Sequence, residues 1–328
     1  MRFLVFSDLH LHSWIYGATI ENGLNSRLRS QQKVLEQILT YIKRNPIDQI
    51  VFCGDFFHKH GTVTADVLKI AYQFLVELTR LDIPSIFLVG NHDTASKEAD
   101  IHLLEFFKYF GSVVEEPILY NDIFWAISYT EDKDKLSRFL EQTPKDSVIL
   151  MHQGVSNAPV NSKGFTINEI LSPDMIPDHC SAAFTGHYHS HKRITNKLWI
   201  PGSTLQLTWN DLGEQRGILD VNYKGAQSEV KFVPLDSPRF VEILDGKLSE
   251  SVEGNFVRIR TEDSEFKERV LNHGALSCEV ITNGREESPH MDINDFSSLS
   301  GVVYSYMDSR NFNAPLRQVG QDIMEGKL

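Results

Sequence analysis

The chain has 328 residues, 41% of them hydrophobic and 23% charged, a balance that describes an ordinary globular protein and excludes a disordered or fibrous one. That length accommodates one large domain and a smaller companion. Its 44 acidic residues outnumber 32 basic ones for a formal charge of −12, and no Lys/Arg run is longer than two. An autonomous nucleic-acid binder usually presents a basic surface, so any DNA substrate would depend on bound cations, a local basic patch or a partner.

No apolar run of about 18 residues occurs, so no membrane span is expected. The N-terminus enters a strand at once, without the basic start, apolar middle and cleavage site of a signal peptide. Cys53, Cys180 and Cys278 are scattered and odd in number, which fits reduced core thiols and a cytoplasmic compartment.

Through the first half, apolar strand candidates alternate with helical patterns. Strands are expected at 3–7, 49–53, 85–89, 123–128 and 147–151. Between them, residues 30–43 place Val34, Ile38, Leu39 and Ile42 on one helical face, with Ser30 as the N-cap. Residues 64–81 repeat that spacing with Val67, Leu68, Ala71, Leu75 and Leu78, and residues 99–110 form a third helix closed by Gly111. Such alternation implies an α/β fold with parallel strands, helices on the sheet faces, and ligands beyond the carboxyl ends of the strands.

From Cys180 the rhythm changes. Short apolar runs at 181–185, 192–194, 198–200, 217–221, 229–233 and 240–244, separated by turn residues, read as an antiparallel sheet packed beside the first. Past a boundary near Asp236-Ser237-Pro238, strands at 256–260 and 277–281 flank a helix at 264–273 in a small βαβ-like module. Residues 282–294 read as a polar loop. Two last helices, 295–308 and 315–324, carry Phe296, Leu299, Val302, Val303 and Tyr306 on a face that either docks on its own domain or meets a partner.

Five sites follow strand candidates: Asp8-Leu9-His10, Gly54-Asp55, Gly90-Asn91-His92-Asp93, His152 and Gly186-His187-Tyr188-His189. Taken singly, an Asp after a strand is a cap or turn residue, and a lone His is a hydrogen-bonded core side chain. Independent caps do not explain two carboxylates, one amide and four imidazoles at the strand ends of one sheet edge. An extended backbone through D-x-H and H-x-H would point both ligands the same way. Mixed oxygen and imidazole donors without thiolate favour Mn, Fe or Zn. Seven donors exceed the needs of one open catalytic ion, so two ions sharing a carboxylate, roughly 3.5–4 Å apart, are the economical reading.

The series D-x-H, G-D, G-N-H-D, H, G-H-x-H, from Asp8 to His189, resembles the calcineurin-like metallophosphoesterase superfamily. Within it, Gly54-Asp55-Phe56-Phe57-His58, then Pro201-Gly202-Ser203-Thr204 and Arg216-Gly217 ahead of a strand, resemble the DNA-repair nucleases of the SbcD type and their phage counterparts. The resemblance implies a four-layer αββα sandwich over residues 1–236, a small C-terminal α+β capping module over 237–290, and a helical tail over 291–328 as an ATPase-docking segment. It assigns one ion to Asp8, His10, Asp55 and His189, and the other to Asp55, Asn91, His152 and His187, with Asp55 bridging. His92 is then no ligand but the group that protonates the leaving 3′ oxygen. His58 lies near the phosphate or is a surface histidine, and Asp93 orients His92 or caps the next turn. The same resemblance implies manganese ahead of Mg, Fe or Zn. It also implies double-strand exonuclease and single-strand endonuclease activity in DNA recombination and repair, beside an SbcC-like coiled-coil ATPase, with a homodimer as an option and the cytoplasm of a bacterium or phage-infected cell as the setting. The rivals are a small-molecule phosphodiesterase acting on cyclic nucleotides or phosphomonoesters, and a non-catalytic metal-binding scaffold.

Overall fold

The computed structural model describes residues 1–281 apart from 96–100, 160–163, 165, 226–227, 245–251 and 262. The loop and the two helices expected after residue 281 lie outside the described residues. In chain order the elements are β1 (Arg2–Phe6), a short hairpin β2 (Ile20–Glu21) and β3 (Leu24–Asn25), α1 (Ser26–Arg44), β4 (Gln49–Phe52), α2 (Ala65–Thr79), β5 (Ser85–Leu88), β6 (Ser112–Val114), β7 (Ile118–Tyr120) and β8 (Phe124–Ile127). There follow α3 (Lys133–Glu141), β9 (Val148–His152), β10 (Ala182–Gly186), β11 (Lys192–Arg193), β12 (Leu198–Ile200), β13 (Gly217–Asn222), β14 (Glu229–Pro234), β15 (Phe240–Ile243), β16 (Phe256–Arg260), α4 (Ser264–Asn272) and β17 (Ser277–Ile281).

Strands without a polar side are the local cause of the layering. In β1, Phe3 and Val5 point one way and Leu4 and Phe6 the other, and all four are buried. Leu4 and Phe6 pack with Val34, Ile38 and Ile42 of α1 and with Phe74 and Leu75 of α2. Phe3 and Val5 meet the second sheet through Phe124, Leu150 and Phe184, with Phe3 edge-on to Phe124 at 5.1 Å. On the far face of that sheet, Ile127, Ile149 and Met151 cover Leu136 and Leu140 of α3. The layers therefore run helices, sheet, sheet, helix, as the family resemblance implies.

The first sheet has the order β14-β13-β1-β4-β5-β6 and the second β11-β12-β10-β9-β8-β7. The runs after Cys180 thus form no separate antiparallel sheet. Strands β10 to β12 extend the second sheet, where β10 pairs in parallel with both β9 and β12, while β13 joins the first sheet antiparallel to β1 and β14 pairs antiparallel with β13 at its edge. Turn signals mark the ends of these strands but carry no information on which sheet edge each one joins.

Two helix boundaries also differ. Helix α1 begins four residues before Ser30, because the Asn25 side chain accepts the backbone N–H groups of Arg27 (2.9 Å) and Leu28 (3.1 Å) and so caps the first turn. The third expected helix is reduced to a 3-10 turn over Glu105–Tyr109. Ahead of it, Ala95 N–H donates to Ile101 O (2.9 Å) and Leu103 N–H to Asp93 O (2.8 Å), bonds that require a crossing chain rather than a helix.

The last described segment makes a three-stranded parallel sheet, β15-β16-β17, with α4 across it and an apolar cluster of its own. It meets the larger part along an aromatic seam around Arg27. That buried guanidinium lies 4.7 Å from the Phe256 ring and 5.6 Å from Phe240, and donates to Leu207 O (2.8 Å). No helix among the described residues is long and apolar enough to cross a membrane.

Asn25→Ala is expected to lower folding stability by about 1 kcal/mol, while Ser30→Ala, now inside the helix, costs less than half of that. Urea denaturation of the two variants checks the order; equal losses would place the cap elsewhere.

Candidate metal centre

The donors do not share one sheet edge. Asp8, Asp55 and Asn91 follow β1, β4 and β5 of the first sheet, whereas His152 ends β9 and His187 and His189 follow β10 of the second. The two carboxyl edges face each other across the sandwich, and the donors converge between them. Asp55 Oδ2 lies 3.5 Å from His10 Nε2 and 3.4 Å from His152 Nε2, between the two halves of the cluster. Asn91 Oδ1 is 3.1 Å from His152 Nε2 and 2.9 Å from His187 Nδ1. On the other side His189 Nε2 stands 3.1 Å from His10 Nε2, and ligand atoms of Asp8, His10 and His189 all lie within 4.8 Å of one another.

The backbone at these donors is not extended. Asp8 (φ 53°), His10 (φ 43°), Asp55 (φ 60°) and His187 (φ 94°) all adopt left-handed conformations, which side chains other than glycine rarely take. The two loops after β1 and β4 run side by side, with Asp8 N–H donating to Gly54 O (3.0 Å) and His10 N–H to Asp55 O (3.1 Å). Turning, rather than alternation along a strand, brings both ligands of D-x-H to one place. Close approach also explains Gly90: a Cβ there would stand 2.2 Å from Asp55 Oδ1.

Asp93 answers to neither role expected for it. Its carboxylate is buried and accepts backbone N–H groups from Gly90 (3.0 Å), Asp55 (2.9 Å), Phe56 (2.9 Å) and Phe57 (3.0 Å). It ties the Asn91 loop to the Asp55 loop. The His92 ring is oriented instead by its Nδ1–H, which donates to His58 O (2.6 Å), and by stacking between His58 and His60 at centroid distances of 5.4 and 4.8 Å. His58 itself places Nδ1 3.5 Å from His10 Nδ1, with Trp14 against its other side at 4.3 Å. His179 and His191, which match no motif, face the carbonyls of Thr143 and Ile200.

The buried carboxylates and imidazoles of the cluster set one another's protonation. Burial, reinforced by the neighbouring Asp55 charge and opposed by His152, pushes Asp8 up to about 6. For Asp55 burial acts the same way, but His152 and His10 outweigh it and hold this carboxyl far below the ordinary range. His152 shows the reverse: burial opposes its charge, yet Asp55 and Asp8 raise it to about 9. Its Nδ1 faces Cys53 O at 2.6 Å, so the proton it retains is held toward Asp55 and Asn91 at Nε2. Burial keeps His10 and His187 neutral, His187 being lowered to about 3. A buried carboxylate pair, an amide oxygen and imidazole nitrogens facing one another are donors that suit divalent ions once the proton on His152 is displaced.

Sequence reading missed Asp211, Glu169 and Tyr129. Glu169 lies 3.9 Å from His187 Nε2, and Tyr129 stacks on the His187 ring at 6.0 Å. None sits in a motif, and only the fold brings them near the donors.

A family model described as calcineurin-like phosphoesterase matches residues 1–220. A conjectured phosphoesterase, 078R, of Invertebrate iridescent virus 3 is 27% identical over 184 residues, covering 52% of each chain. The SbcD subunit of the nuclease SbcCD from Staphylococcus saprophyticus is 22% identical over 300 residues, 81% of this chain and 78% of that one. Its namesake from Bacillus subtilis is 34% identical over 122 residues, 34% of this chain and 28% of that one. The chain thus spans about half the length of the viral relative and under a third of the Bacillus one. The family match takes in every donor from Asp8 to His189, and with it the chain belongs to the calcineurin-like phosphoesterases.

Proposed function

We propose that the chain is a two-metal DNA phosphodiesterase, a double-strand exonuclease and single-strand endonuclease that prefers manganese and works beside an SbcC-like coiled-coil ATPase. The observation that carries this reading is the convergence of seven donors from two facing sheet edges, in a chain aligned over 81% of its length with the SbcD subunit of a nuclease named SbcCD. The formal charge of −12 supports a division of labour in which a partner contributes the grip on DNA.

In this reading Asp8, His10, Asp55 and His189 would hold one divalent ion, and Asp55, Asn91, His152 and His187 the other. The ions, when bound, neutralise charge on the phosphate and acidify water. The chain's own groups do the rest. His92 has its Nδ1–H fixed on His58 O, which leaves Nε2 to move a proton to the departing 3′ oxygen. The His92 backbone N–H donates to Asp55 Oδ1 (2.9 Å), so the proton donor and the shared carboxylate are held in one register. His58 supports the ring of His92 by stacking and faces His10, a position from which it orients both.

The overall test is degradation of linear duplex DNA by the chelator-treated protein with Mn restored, set against hydrolysis of a small nucleotide diester. Cleavage of the diester alone would move the chain to the small-molecule phosphodiesterases, and no cleavage in fully loaded protein would make it a scaffold. Asp55→Asn should abolish turnover and reduce the uptake of both ions, read by calorimetric titration, because both halves of the cluster lean on this carboxylate. His92→Ala should keep two ions bound while kcat falls by roughly 10²–10⁴-fold. Unchanged kcat in that variant would remove His92 from the chemistry.

Metal uptake should also depend on pH in a definite direction. His152 carries a proton up to about 9 before metal binds, and a bound ion must displace it. Affinity should therefore fall by up to tenfold per unit as the medium is made more acidic below that value, with a proton released on binding. Titration calorimetry in two buffers of different ionisation enthalpy measures that proton directly; a release of none would contradict the assignment of His152 as a ligand.

A further inference from the structure

Asp211 belongs to no motif and sits in a 3-10 turn, Trp209–Asp211, on the connection from β12 of the second sheet to β13 of the first. It is 4% exposed. One carboxylate oxygen, Oδ2, accepts the backbone N–H groups of Leu207 (2.7 Å) and Thr208 (3.0 Å). The other, Oδ1, lies 2.8 Å from Arg216 Nη2 and 3.7 Å from Nδ1 of His189. Arg216, equally buried, turns its second amino group, Nη1, to donate to the main-chain oxygen of His189, and the Ser203 N–H donates to that same oxygen (2.9 Å). Glu214 flanks the guanidinium at 3.1 Å. One carboxylate–guanidinium pair thus brackets His189 at both its ring and its backbone.

The nitrogen by which an imidazole meets an ion is set by what its other nitrogen does. His189 faces His10 and Asp8 with Nε2 and Asp211 with Nδ1. Its neighbours are anchored by uncharged groups: the Nδ1 of His152 faces the Cys53 carbonyl at 2.6 Å, and the Nδ1 of His10 faces another imidazole, His58. A carboxylate on the far nitrogen makes a ligand imidazole more basic as well as fixing its tautomer. At 3.7 Å the pair is in ion-pair range and beyond hydrogen-bond length, so the carboxylate acts on the ring through its charge and position.

We infer that Asp211 is a positioning residue for His189: it faces the Nδ1–H, aims the Nε2 lone pair at the Asp8–His10 half of the centre, and is itself held by Arg216. The inference rests on the reading that His189 helps hold one of two ions, and it adds an asymmetry. Loss of Asp211 loosens that ion and spares the one held by Asn91, His152 and His187.

Calorimetric titration of chelator-stripped protein with MnCl2 tests it. Wild type should take up two ions. Asp211→Asn should keep one near its original affinity and bind the other 10–100-fold more weakly, and Asp211→Glu, which retains a carboxylate, should recover part of that loss. A general loss of structure would weaken both ions, since Asp55 serves both. Two unchanged affinities in Asp211→Asn would overturn the inference while leaving the metal centre standing; a wild-type chain that takes up no ion would overturn both. A second measurement needs no variant. In wild-type protein loaded with cadmium-113 and labelled with nitrogen-15, His189 should show a proton on Nδ1 and metal coupling at Nε2. Coupling at Nδ1 instead would overturn the inference even if every Asp211 variant failed to fold.

Discussion

Four backbone N–H groups converging on the buried carboxylate of Asp93 are the constraint on which the metal centre depends. Each is a hydrogen bond to a carboxylate acceptor, of the kind worth about 1.5–3 kcal/mol when the acceptor is ionised. Together they bind the loop after β4 to the loop after β5 at the point where Asp55 and Asn91 leave their strands. Burial and the nearby Asp55 charge push Asp93 up to about 7, against the pull of these backbone bonds. A cation seated against Asp55 would relieve that repulsion and favour the ionised carboxylate that clasps the two loops. The charge of Asp55 and the clasp between the two loops thus meet in one side chain that touches no donor ring.

Much of this was legible in the chain's own letters. Strands buried on both faces announce themselves as unbroken apolar runs, and the polar residues following them mark a functional edge, so Asp8, Asp55, Asn91 and His152 could be singled out in one dimension. That the edge belongs to two sheets could not be read, because apolar strands such as β1 and β9 look alike whichever sheet they enter. Local competition misled in two places. Ser30 and Asn25 are both good caps, and only the turn packed beneath Trp14, whose carbonyl takes a bond from Asn25 at 2.8 Å, selects between them. Residues 101–103 have helical spacing yet spend their backbone groups on Ala95 and Asp93. Asp211 was invisible for a different reason: it lies 22 positions after His189 and gains its meaning only from Arg216 and the path of the intervening chain.

The segment that joins the centre to the smaller sheet is short. From His10 the chain runs through His12 and Trp14, whose rings lie beside His58, to Tyr16 and Gly17, which lie against Phe240 and Phe256 of the smaller sheet. Arg27, on α1, fills the same seam and adds a bond to Tyr16 O (3.1 Å). A displacement of the small sheet would thus reach His58, on which His92 is stacked. This is a mechanical connection built from aromatic contacts, and its path is set by the five residues after His12.

The left-handed backbone at Asp8, His10, Asp55 and His187 bears on how such a centre can be taken apart. A side chain shortened to alanine at any of these positions loses a donor and keeps the conformational strain, so the loop has reason to relax and carry its neighbours with it. Asparagine tolerates that backbone region far better than alanine and is nearly isosteric with aspartate. At Asp8 and Asp55 the amide therefore separates charge from geometry, whereas the two histidines have no comparable surrogate. The donors of this centre differ in dissectability as much as in chemistry.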